Sequence, residues 1–63
     1  MDKIYVLLGS DWEDMKIILS ELEAINLSIK YKNSRIEIFQ KNIDGNYSPT
    51  YNYYKNGIII YNS

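Results

Sequence analysis

The chain contains neither histidine nor cysteine, so proton transfer, nucleophilic attack and soft-metal binding lose their commonest side chains at once. Carboxylates, tyrosines, lysines and serines remain as candidates for chemistry. Asp11, Asp14 and Glu21 fall in a segment of helical period, where Asp14 and Glu21, seven residues apart, share one side of the helix. Two carboxylates on one side are a minimum for acid–base work, yet nothing around them supplies a cleft, and 63 residues leave little room for a supporting shell. The pattern therefore indicates a protein that is not an enzyme, with no cofactor and no metal. The acids Asp11, Asp14, Glu21 and Glu23 read instead as a face able to meet a basic surface.

Two further motifs are excluded on their residues. Gly9-Ser10 ahead of a helix has the form of an anion cradle, but Asp11, Glu13 and Asp14 would repel a phosphate, and no P-loop lysine follows. The turn around Asp44-Gly45 has Gln40, Asn42 and Tyr51 where a calcium loop needs oxygen-rich acids.

Tyrosine is the unusual component, at seven residues: Tyr5, Tyr31, Tyr47, Tyr51, Tyr53, Tyr54 and Tyr61. In strands such residues pack half-buried with a wet hydroxyl, and at interfaces they supply rigid contact area. Tyr51, Tyr53 and Tyr54 are the expected anchoring contacts to a protein partner. The same rings beside Lys30, Lys32, Arg35 and Lys41 would suit single-stranded nucleic acid, by stacking and phosphate contact. Net charge is −1 and no RNP-like signature is present, so nucleic acid ranks second. A structural or accessory assembly subunit is the third class. The charge is unevenly placed, with −4 over residues 1–27 and +3 over 28–63, from six acids against two lysines and five bases against two acids.

These residues must be positioned by a single small domain, residues 1–63, which at this length buries only about 60% of its unfolded surface. Lys3 to Leu8 reads as a strand buried on both faces and central in its sheet. Ser10 and Glu13 form a capping box, and Trp12, Met15, Ile18, Leu19, Leu22 and Ile25 gather on one side of a helix over Ser10–Asn26. Ile17, Ser20 and Ala24 make a thin second stripe on that helix, the expected self-association contact in a homodimer. Leu27 to Lys32 alternates as a strand and turns at Asn33-Ser34, with Lys32 opposite Arg35 and Lys30 opposite Glu37. Asn42–Asn46 is turn chemistry, and Ser48-Pro49 is expected to interrupt pairing. Asn56-Gly57 is the strongest hairpin signal, setting Lys55 opposite Ile58, Tyr54 opposite Ile59 and Tyr53 opposite Ile60.

The expected fold is therefore α+β, in the order β-α-β-β-β-β, with one helix packed on one face of a mainly antiparallel sheet. No apolar run reaches the roughly 18 residues of a membrane span, and no signal-like start is present, so a cytoplasmic location without membrane contact is expected. In type, the short cysteine-free chain rich in Ile, Asn and Tyr is similar to the small proteins that phages encode to inhibit a host enzyme or defence complex. That likeness implies an inhibitor that occludes a larger protein or complex in the host cytoplasm.

Overall fold

A computed structural model describes residues 2–7 and 15–61. Five antiparallel strands, β1 (Lys3–Leu7), β2 (Lys16–Ile18), β3 (Ile36–Lys41), β4 (Tyr47–Lys55) and β5 (Ile58–Ile60), form one sheet in the order β2-β1-β3-β4-β5, and a helix, α1 (Glu21–Lys30), packs on one face. The α+β class is as expected, with a short strand placed ahead of the helix. No helix of the described residues is long and apolar enough to cross a membrane.

β1 is an inner strand between β2 and β3. Its neighbours Tyr5 and Val6 are both buried although they point to opposite faces, which accounts for its unbroken apolar sequence. The helix expected over Ser10–Asn26 is not formed as such: Lys16–Ile18 is strand, and α1 begins only at Glu21. The segment holds two S-x-x-E patterns, Ser10–Glu13 and Ser20–Glu23, and α1 is capped by the second, where Ser20 Oγ accepts the Glu23 N–H at 3.4 Å. Ser10, Trp12 and Glu13 lie outside the described residues. Consecutive β-branched residues, Ile17 and Ile18, favour a strand, and Ile18 pairs with Tyr5 in the core.

The strand expected over Leu27–Lys32 is also corrected, since Leu27 to Lys30 are the last turn of α1. Once Ser20 caps the helix, Ala24 and Ser28 stand four residues apart on its inner side, both 0% exposed, and their small size lets the helix approach the sheet closely. Asn33-Ser34 consequently lies in a helix-to-strand connection, and the pairing of Lys30 with Glu37 does not exist. Alternation misled there because Ile29 and Tyr31 are exposed.

Residues sharing the helix-covered face are Tyr5, Ile18, Ile36, Ile38 and Tyr54, which with Ala24 make the core. The Asn56-Gly57 turn closes in the expected register, with Lys55 opposite Ile58, Tyr54 opposite Ile59 and Tyr53 opposite Ile60. Both turn residues have positive φ, 53° and 79°, the requirement of a type I′ reversal. Pairing does not break at Ser48-Pro49, which face Gln40 and Phe39. It breaks just beyond, where β3 advances from Glu37 to Phe39 while β4 spans Pro49 to Tyr53.

Candidate partner-binding surface

The sheet face opposite α1 is assembled by register alone. Ile4, Val6, Ile17, Glu37, Phe39, Lys41, Tyr47, Pro49, Tyr53 and Ile60 belong to pairs that alternate with the core residues, so they share this face. It is mainly apolar and aromatic. Arg35 lies over the Tyr53 ring, 4.7 Å from its centroid, and its Nε stands 3.4 Å from Glu37 Oε2. That contact is an ion pair without hydrogen-bond geometry, since the same buried oxygen has no hydrogen-bond partner. With Lys41 and Lys55 also on this side, the strand residues and Arg35 place three cations there against one carboxylate.

The β3–β4 arm extends this face into a rigid tip. In the turn, Gly45 N donates to Asn42 O at 3.0 Å and Asn42 N to Asn46 O at 2.6 Å, while the Asp44 carboxylate accepts both the Asn46 backbone N–H and its side-chain amide. Gly45 takes φ +91°, which a side chain would resist. These bonds brace a reversal that presents Ile43 fully exposed to solvent.

Farther along β4, the irregular stretch opposite Ile38 is built by Thr50. Its hydroxyl donates to Ile38 O at 2.9 Å and accepts the Asn52 N–H at 3.1 Å, standing in for a ladder hydrogen bond. The residue between, Tyr51, is held at φ 67°, left-handed backbone that non-glycine residues avoid, and is 62% exposed.

The tyrosines expected to act together are thus divided. Tyr51 is exposed at the bulge and Tyr53 lies on the face opposite α1, but Tyr54 points to the core at 7% exposure. Its hydroxyl donates to Glu21 Oε2 at 3.0 Å, so one expected acidic contact and one expected aromatic contact satisfy each other internally. Tyr5 lies alongside, with ring centroids 6.1 Å apart. Burial, then the Glu21 hydrogen bond and charge, push the Tyr54 phenol up to about 12; Tyr5 is raised by burial first and by Glu21 second. Both phenols stay neutral at physiological pH, and the cluster fastens the start of α1 to the sheet. Of the remaining expected acids, Glu23 is exposed in the first helical turn, and Asp11 and Asp14 lie outside the described residues.

The expected self-association stripe does not exist as a surface. Ile17 is on β2, Ser20 is the helix cap, and Ala24 is buried against the sheet, so the three never share a helix face. The roles of Ile43 and Thr50 had no signal in periodicity; a turn motif enclosing an isoleucine was the one readable hint.

An open depression of about 320 Å³ follows α1, lined by Lys30, Tyr31, Lys32, Asn33 and Ser34, with Lys30 Nζ already 5.4 Å from the Tyr31 ring centroid. Among the described residues, no three acidic side chains gather as a metal site would require. Comparison with protein families, curated proteins and solved structures finds no match.

Proposed function

We propose that this chain is a non-enzymatic protein-binding module, a small inhibitor that occludes a site on a larger protein with the sheet face opposite α1 and the β3–β4 arm. The observation that carries the reading is Tyr51, a large exposed ring held at φ 67° by the two hydrogen bonds of Thr50. Left-handed backbone costs a non-glycine residue about 1 kcal/mol, and a strained, solvent-facing aromatic is more readily accounted for by recognition than by folding. Ile43 supplies an aliphatic tip on a braced turn, and Tyr53 supplies a ring stiffened by Arg35. The cations Arg35, Lys41 and Lys55 define the partner's chemistry: a protein surface apolar at its centre and acidic around it. Biased use of Ile, Asn and Tyr supports a phage-encoded antagonist acting in a host cytoplasm.

The stack of Arg35 on Tyr53 also favours a second reading, single-stranded nucleic acid laid across the same face. One experiment separates the two. The immobilised chain is incubated with native-host lysate, with and without nuclease, beside Ile43→Asp and Tyr51→Ala variants. The proposal expects one stoichiometric protein that survives nuclease and is lost from both variants. Retention that disappears with nuclease, or that neither variant diminishes, overturns it.

A further inference from the structure

We infer that Asn56 is a site of spontaneous deamidation, held dormant by the hydrogen bond between α1 and the β4–β5 turn and released when that contact opens. The sequence supplies the chemistry. In Asn56-Gly57 the attacking backbone nitrogen belongs to a residue with no side chain to hinder it, and Asn56 is exposed to the water that completes the reaction. The Gly57 nitrogen bonds to Asn56 Cγ and gives up its proton, the Cγ–Nδ2 bond breaks, and the side-chain nitrogen leaves as ammonia. Water then opens the cyclic imide. Attack at Cγ restores the main chain with aspartate at position 56, whereas attack at the backbone carbonyl carbon leaves the chain running through the former side chain, as isoaspartate.

The fold blocks the first step twice. Asn56 has φ 53° and Gly57 φ 79°, the angles of a type I′ turn, whose first central residue has ψ about +30°. At that angle the Gly57 nitrogen is rotated away from Asn56 Cβ, so ring closure requires the peptide between the two residues to turn over. That peptide is held from another element. The Gly57 N–H donates to Ser28 Oγ at 2.9 Å, and Ser28, near the end of α1, is 0% exposed. Ile29 closes over the same point, its Cδ1 lying 3.0 Å from where a Cβ on Gly57 would stand. The nucleophile is therefore aimed away from its target and engaged as a donor for as long as α1 stays seated.

Conversion is irreversible, and it changes the contact that restrained it. Isoaspartate adds a carbon to the main chain between the paired residues Lys55 and Ile58, so a two-residue reversal no longer joins them and the Gly57 N–H leaves Ser28. Aspartate keeps the loop length and suits the same turn. An opening of α1 is thereby recorded as a lasting loosening of helix from hairpin.

Peptide mapping by mass spectrometry, over a time course in mildly alkaline buffer, tests the inference on the full chain. The native protein is expected to convert Asn56 at least about 100-fold more slowly than the same chain in urea. Ser28→Ala should speed conversion about tenfold, since it removes the acceptor and leaves the turn sequence intact. Ile38→Val truncates the core away from the turn, destabilises the whole chain to a similar degree, and should change the rate less than about threefold. The separated isoaspartate form should exchange its α1 amides about tenfold faster than native, whereas Asn56→Asp should keep native exchange. A native chain converting as fast as in urea overturns the inference, as do a Ser28→Ala rate within about twofold of native, equal acceleration by Ile38→Val, and an isoaspartate form with native exchange.

Discussion

Removing one hydroxyl, Ser28→Ala, tests how the helix is held to the sheet. Ser28 is 0% exposed, and its Oγ donates to Ile25 O at 2.7 Å while accepting the Gly57 N–H at 2.9 Å. The first bond is local to the helix, where the carbonyl keeps its role in the helical ladder, so its loss matters little. The second joins α1 to the type I′ turn across 29 residues of chain. Alanine leaves the Gly57 N–H without that acceptor, a deficit of about 1–3 kcal/mol for a buried amide. Gly57 is half-buried, and water can partly replace the hydroxyl, so the lower part of the range applies. The expected destabilisation is about 1.5 kcal/mol, which for a chain of this size lowers Tm by roughly 6–12 °C. Urea unfolding followed by circular dichroism, with the m value unchanged, is the assay. A loss below about 0.5 kcal/mol, the scale of an ordinary surface substitution, would refute the view that this bond pins the helix to the hairpin.

Three other outcomes follow from the same geometry. The Tyr54 phenol, raised to about 12 by burial and Glu21, binds its proton more tightly in the folded chain than in the unfolded one. Its contribution is therefore fully present below the usual phenol value near 10 and is lost as pH rises through about 12. Allowing for screening near the surface, the alkaline loss is about 1–2 kcal/mol, and Tyr54→Phe should flatten that limb in pH-dependent urea titrations. Gly57→Ala should destabilise by about 1–3 kcal/mol in the same assay, because φ is +79° and the new Cβ would meet Ile29 at 3.0 Å. Tyr51→Gly should raise stability by about 0.5 kcal/mol by relieving left-handed strain, while abolishing capture of the partner.

Legibility in the sequence tracked how local each determinant was. Asn56-Gly57 specified its own turn and register because two positive φ angles admit few residues, and nothing distant alters that. β1 was readable because burial on both faces leaves an unbroken apolar run. The helix α1 starts late because residues 10–26 satisfy helical periodicity while containing a second cap at Ser20, and its use rests on a tertiary fact, the pairing of Ile18 with Tyr5 in the sheet. Moving that start converted Ala24 from a surface residue to a buried one and turned Leu27–Lys30 from strand to helix. For the candidate surface, the existence of an aromatic face opposite the helix could be read from alternation. Its membership could not, because alternation separates Tyr53 from Tyr54 without saying which of the two the helix covers, and the irregularity at Thr50–Asn52 sets Tyr51 apart in left-handed backbone.

The central claim is that a protein partner docks on the strained bulge and braced turn of the β3–β4 arm. Its most direct test is calorimetric titration of the purified captured protein with the native chain and with an Ile43→Asp, Tyr51→Ala double variant, both first shown to be folded. Removing two exposed anchors, and placing a charge against an apolar centre, is expected to weaken binding at least about 100-fold. An affinity within about threefold of native in the folded double variant would contradict the account.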